Sequence, residues 1–313
     1  MESSSRKHHV RCIVKLGGAA ITFKDKLEAL NRESLSRTSL QLHEAMGGGV
    51  SFNMDWSKNL EVPDPIDMEL HQKHAFVVVH GAGSFGHFQA SISGVNKGGL
   101  DNSLLVNAGF VATRLSVTKL NHKVIRALAS QGIPAVGMPP FAAGWSTHKR
   151  IVGSSFLDVV LRIFVDAGFV PVLHGDAVRD SHQGCCILSG DVIVRRLAEE
   201  LQPSYVVFLT NVPGVFDRPP SEENAVLLQE IVVYEDGTWS IARPRLEAPV
   251  KTEMASHDTT GGMATKIAEA ASISRLGMDV YIVEAGTEHA LQALKGNIEQ
   301  NWIGTIVRKA NST

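Results

Sequence analysis

The chain has 313 residues, 44% hydrophobic and 20% charged, enough for one large α/β domain or two lobes around a cleft, and unlike a disordered composition. Lys plus Arg number 30 against 32 for Asp plus Glu, a net charge of -2, so no general field recruits nucleic acid or a membrane surface and any anion site must be local. No apolar run approaches the ~20 residues that a membrane span needs.

The start, residues 1–9, is polar and basic without a signal-type apolar stretch, and the expected location is the cytoplasm. Cys12, Cys185 and Cys186 form no C-x-x-C pair and no even framework, which suits three ordinary, semi-buried thiols in a reduced interior.

Residues 12–15 read as a first strand that runs into Lys15-Leu-Gly-Gly18, with Lys24 shortly after. Residues 43–74 carry Gly47-Gly-Gly49, two prolines and no sustained period, and read as a surface insertion. The apolar run 76–79 reads as a buried strand ending directly in His80-Gly-Ala-Gly-Ser-Phe-Gly-His87. Apolar residues at three and four spacing predict helices near 102–131, 154–167, 190–201 and 262–276. Further strands are expected at 169–173, 205–209 and 280–283. Residues 217–260, with Pro219-Pro220 and short strands around 228–241, read as hairpins or loops between two sheet strands. Continuous apolar strands joined by helices argue for a mostly parallel sheet covered on both faces.

A parallel sheet binds its ligands at the carboxyl ends of its strands. Glycines fall there repeatedly: after Lys15, after His80, in His174-Gly-Asp176, and in Ser189-Gly-Asp191 and Thr260-Gly-Gly-Met263, which open helices. Glycine lets successive N–H groups close on a phosphate, and a helix N-terminus adds to the attraction. The set therefore points to a polyphosphate ligand. The segment Gly81-Ala-Gly-Ser-Phe-Gly86 also matches the dinucleotide fingerprint. That fingerprint opens a long helix and leads to an acidic residue at a strand end, whereas here Gly94, Gly98 and Gly99 interrupt the helix and Asp101 ends no strand-like run. A Walker-type G-x-x-x-x-G-K-[ST] is absent.

Phosphoryl transfer needs positioning and positive charge on the moving group. Lys15 ends a strand beside its glycines, and Lys266 lies in the first turns of a helix, where the dipole disfavours a cation unless an anion is bound there. Asp191 and Asp176 are each either orienting or magnesium-organising carboxylates, or plain helix or turn residues. His87 closes a loop of backbone donors and can add a hydrogen bond to a phosphate oxygen.

Together these residues, with Lys15-Leu-Gly-Gly-Ala-Ala-Ile-Thr22, Pro171-Val-Leu-His-Gly-Asp176 and Thr210-Asn-Val-Pro-Gly-Val215, resemble the amino-acid kinase superfamily over nearly the whole chain. Within it the likeness is to the isopentenyl phosphate kinases, on the strength of the histidine in Gly-Ser-Phe-Gly-His87. The resemblance implies a three-layer αβα sandwich with a mainly parallel central sheet. It also implies an acceptor-binding lobe over about 1–190, a nucleotide-binding lobe over about 191–313, and a homodimer. The implied reaction, in isoprenoid biosynthesis, is phosphorylation of isopentenyl phosphate to its diphosphate by ATP with Mg2+.

By the same resemblance Lys15, Lys24 and His87 are catalytic, with Lys24 stabilising the transferring phosphoryl group. Lys15, Gly17, Gly18, Gly83, Asn211, Gly262 and Lys266 bind the nucleotide. Gly81, Ala82, His87 and Gly190 hold the acceptor, and Asp191 orients. Ala19 replaces a usual serine, and Asn211 and Pro213 replace aspartates of the common pattern. The apolar tail of the acceptor has a candidate wall in 104–128, with Leu104, Leu105, Val106, Phe110 and Val111, residues that read slightly better as core. Rival acceptors in the same fold are fosfomycin, a nucleoside monophosphate or an amino acid, and a nonenzymatic nucleotide-binding regulatory or storage protein is the other alternative.

Overall fold

The structure is a computed structural model describing residues 9–48, 53–55, 75–100, 103–149, 151–152, 164–244 and 262–310. The chain begins with β1 (Val10–Leu16), the single turn α1 (Gly18–Ile21) and α2 (Arg32–Ala45), followed by β2 (Ala75–His80), α3 (His87–Ser93) and α4 (Leu104–Ala129). Next come β3 (Ala135–Gly137), β4 (Ser146–His148), β5 (Ile151–Val152), β6 (Val170–His174) and the hairpin β7 (Asp176–Asp180) and β8 (Gly184–Leu188). The second half holds α5 (Gly190–Leu201), β9 (Tyr205–Thr210), β10 (Val215–Phe216), β11 (Leu227–Leu228), β12 (Glu230–Val233) and β13 (Trp239–Arg243). It ends with α6 (Gly262–Arg275), β14 (Asp279–Glu284), α7 (Glu288–Lys295) and β15 (Thr305–Lys309).

Among the described residues, nine strands form one sheet in the order β13-β12-β15-β14-β9-β1-β2-β6-β3. From β14 to β3 every neighbouring pair is parallel, and the antiparallel pairs β14/β15 and β12/β13 lie toward the other edge. The expected mainly parallel sheet is therefore present.

Side chains alternate across a strand. Ile13, Val77, Val79, Val206, Phe208, Val280 and Ile282 join one core, together with Ile193, Val194, Leu197, Ile267 and Ile273 of α5 and α6. Cys12, Val14, Leu16, Phe76, Val78, Val207, Leu209, Tyr281 and Val283 join the other, with Leu35 and Leu42 of α2, Leu120 and Val124 of α4 and Leu294 of α7. Two helical layers thus sandwich the sheet. Full burial of each Val, Leu, Ile or Phe side chain contributes about 1.5–3 kcal/mol, which explains why the central strands read as continuous apolar runs.

Several expectations need correction. Helix α2 escaped the periodicity because its buried positions include Thr38 and Ser39 beside Leu35 and Leu42, and it occupies the first residues of the supposed insertion. The insertion thus cannot begin at residue 43, and most of its remainder lies outside the described residues, as does most of the expected helix 154–167. The three cysteines form no disulfide and are buried rather than semi-buried, because Cys12 lies inside the sheet and the other two on β8. In α4, Leu104, Leu105 and Val111 are 84%, 60% and 56% exposed, so they are not core; they lie on the solvent face, and Val106 turns inward.

Candidate active site

Three strands that end at the site are each followed by a glycine whose amide donates to a neighbouring strand. Gly17 N–H bonds the Leu209 carbonyl at 2.7 Å, Gly81 N–H that of Leu16 at 2.9 Å, and Gly175 N–H that of His80 at 2.9 Å. The ladder thus runs one residue beyond the strands, and the loops leave the sheet at one level. There they touch through bare backbone. A Cβ on Gly18 would lie 2.5 Å from the Gly83 nitrogen, and one on Gly81 2.7 Å from the Gly18 nitrogen. A Cβ on Gly175 would lie 3.4 Å from the Gly190 nitrogen and 3.7 Å from that of Ala82. Gly83 itself holds φ +51°, a left-handed conformation open to glycine. Gly18, Gly81, Ala82, Gly83 and Gly190 therefore meet in a cradle of bare backbone with no side chain between the loops.

Strand parity sets the charge beneath this cradle. Lys15 shares a face of β1 with Ile13, and α5 covers that face. Its ammonium pairs with Asp191 in the first turn of α5, and both groups are buried. The Asp191 carboxylate thus faces the Lys15 ammonium from the first turn of α5. Ser189 caps this helix, accepting from Val192 N–H at 3.3 Å. A Cβ on Gly190 would lie 3.4 Å from Lys15 Cε, so glycine there leaves the lysine its course.

Helix α6 is fastened alongside α5 by Arg195 and Glu269 at 2.6 Å. Asp191 and Lys266 lie one turn earlier on these two helices, which brings the N-terminus of α6, with Gly262, to the same end of the sheet. Burial raises the Glu269 carboxyl above its ordinary range, against the opposing pull of Arg195. Asn211 directly follows β9 and is exposed at the rim.

His87 begins α3, and its Nδ1–H donates to the Gly83 carbonyl at 2.7 Å, with Phe88 against the ring. That bond fixes the tautomer, so Nε2 can donate to an oxyanion only as the imidazolium. Helix α3 spans seven residues and ends at Gly94, φ +75°, which removes the long helix that the dinucleotide fingerprint demands.

Lys24 lies on an exposed turn beside the cradle and has no ion pair among the described residues. Asp176 does not join the lysines. Buried at the start of β7, it accepts from Arg114 at 3.3 Å, Ala177 N–H at 2.9 Å and Phe141 N–H at 3.2 Å, while Arg114 stacks on Phe141 at 4.1 Å.

Sequence reasoning missed a second layer. His80 and His174 are register partners on β2 and β6, stacked at 5.4 Å and buried. Burial lowers His80 to about 3, with His174 adding to the shift, and burial also lowers His174. Each Nδ1–H donates to the carbonyl of its following glycine, at 3.0 and 2.9 Å, and Asn121 of α4 donates to His80 Nε2 at 3.1 Å. The neutral pair braces both glycine turns. The repeated His-Gly after an apolar run was its one visible trace.

Among the described residues no cluster of three or more His, Cys, Asp or Glu is built to hold a metal ion, and no helix is long and apolar enough to cross a membrane.

The amino acid kinase family profile matches residues 10–284. Isopentenyl phosphate kinase of Arabidopsis thaliana is 55% identical, covering 98% of both chains. That of Methanothermobacter thermautotrophicus is 31% identical over 96% of this chain and 98% of its own. An X-ray structure of isopentenyl phosphate kinase superposes with a TM-score of 0.70 at 27% identity, covering 95% of this chain and 99% of the other. The chain therefore belongs to the amino acid kinase family, and within it to the isopentenyl phosphate kinases.

Proposed function

We propose that this protein transfers the γ-phosphoryl group of ATP to isopentenyl phosphate, releasing ADP and isopentenyl diphosphate. The 55% identity along the full chain to isopentenyl phosphate kinase supports the substrate, and the histidine-closed glycine cradle supports an acceptor that already carries phosphate. An oxygen of the acceptor phosphate attacks the γ-phosphorus in line, and the bond to the β–γ bridging oxygen breaks, so no covalent enzyme intermediate forms.

The backbone amides of Gly81 and Ala82, with Gly190 and the His87 imidazolium, hold the acceptor phosphate. Lys15, steered by Asp191, binds the nucleotide phosphates with Gly17, Gly18, Gly83, Asn211, Gly262 and Lys266. Lys24 meets the charge that develops on the transferring group. This divides the chain into an acceptor lobe, about 1–190, and a nucleotide lobe, about 191–313.

The residues suit a magnesium ion that arrives on the nucleotide rather than in a protein cage. Such an ion would supply positive charge that offsets the charge of the nucleotide phosphates. Three cysteines that form no disulfide suit a cytoplasmic location. A homodimer is expected, and light scattering would read its mass directly.

The test is ADP release with isopentenyl phosphate, dimethylallyl phosphate, fosfomycin, UMP and acetylglutamate. Brisk turnover of another acceptor with none of either prenyl phosphate would reject the substrate.

A further inference from the structure

A lysine without a side-chain partner can be aimed only by its backbone, and Lys24 is such a lysine among the described residues. Its turn is closed at the base by the bridge between Thr22 and Leu30 and by Phe23 N–H to the Ala29 carbonyl at 2.9 Å. Three further bonds lash it to the acceptor-side loop. Glu28 N–H donates to the Ser84 carbonyl at 3.1 Å, Ala29 N–H to Ser84 Oγ at 3.2 Å, and Ser84 N–H to Thr22 Oγ1 at 3.0 Å. Thr22 Oγ1 in turn donates to the Gly18 carbonyl at 2.7 Å.

Two contacts reach outside the loops. The Glu28 carboxylate accepts from the buried Ser116 hydroxyl at 2.7 Å and pairs with Lys119, both on α4. The glutamate does so at φ +52°, a conformation that disfavours a residue with a Cβ. Hydrogen bonds from Lys119 and then Ser116 hold its carboxyl below the ordinary range, which marks the anchor as an ionised one.

We infer that Glu28 is a positioning residue for Lys24, its carboxylate stapling the lysine-bearing turn to α4 and to the Ser84 end of the acceptor loop. The inference rests on the reading that Lys24 stabilises the transferring phosphoryl group. Lys24 and the acceptor phosphate are then held in one frame, with α4 as the common support.

Glycine suits the backbone at position 28, so Glu28→Gly removes the carboxylate while relieving the strained φ, and its Tm should stay near that of the parent protein. Its kcat should fall roughly ten- to a hundredfold, the scale of a misplaced catalytic group, with KM for ATP and acceptor unchanged. Glu28→Gln, which can still accept from Ser116, should lie between. In a Lys24→Ala background, assayed at high enzyme concentration, Glu28→Gly should cost no further turnover, since no lysine remains to be aimed. A Glu28→Gly enzyme with full kcat, or one that loses the same factor again without Lys24, would overturn the inference while leaving the role of Lys24 intact. Full turnover by Lys24→Ala alone would instead refute the role of Lys24 and the inference with it.

Discussion

Substituting Gly18 by alanine inserts one methyl group at the tightest crossing of the two phosphate loops. The new Cβ would lie 2.5 Å from the Gly83 nitrogen and 2.7 Å from its Cα, both backbone atoms that cannot rotate away. An ordinary contact begins at 3.4 Å, so the loops must part by about 0.9 Å. A displacement near 1 Å at a reacting centre lowers the rate by about a hundredfold, or ~2.7 kcal/mol of barrier. Overpacking of this kind destabilises by about 1–3 kcal/mol, a few degrees in Tm for a chain of this size. Steady-state ADP release with isopentenyl phosphate should show the loss mainly in kcat, because both loops still bind their ligands but no longer in register. Gly175→Ala, whose Cβ meets neighbours only at 3.4 Å, should lower Tm less. Wild-type kcat in Gly18→Ala, or a larger fall in Tm for Gly175→Ala, would refute the crowding argument.

His87→Ala should raise KM for the acceptor and lower its kcat/KM, with KM for ATP little changed; an intact kcat/KM for the acceptor would remove His87 from the site. Asp191→Ala should lower Tm by leaving the Lys15 ammonium buried without its partner, a cost of about 3–5 kcal/mol for a buried pair. Adding Lys15→Met should recover much of that Tm without recovering turnover, and additive losses in Tm would argue against the pairing. His80, lowered from 6.5 to about 3 in the folded chain, binds its proton in the unfolded chain first, so its contribution to stability is present above pH 6.5 and lost as pH falls toward 3. The slope is about 1.4 kcal/mol per pH unit. His80→Asn should flatten the fall of Tm between pH 6.5 and 4.5, and an unchanged slope would assign the acid sensitivity elsewhere.

The sheet strands and the glycine loops that follow them were legible because both follow from local chemistry. A strand buried on two faces must be apolar throughout, and a backbone that approaches phosphate must be glycine. Strand parity even carries Lys15 toward the face where Asp191 waits, although its partner could not be named from spacing. Helix α2 was hidden because its inward face uses Thr38 and Ser39, which carry no apolar period.

What only the tertiary structure decided are the pairings between residues far apart in the chain. Lys15 meets Asp191, Asp176 turns instead to Arg114, and His80 stacks on His174 because β2 and β6 are neighbours in the sheet. The sequence by itself determined that a glycine loop after an apolar strand closes on His87. The fold decided which nitrogen of that ring is free, by seating Nδ1–H on the Gly83 carbonyl, and it decided that the turn bearing Lys24 is held through Glu28. Spacing along a chain records which groups are present, whereas a hydrogen bond between separate loops exists only once the sheet has brought those loops to one level.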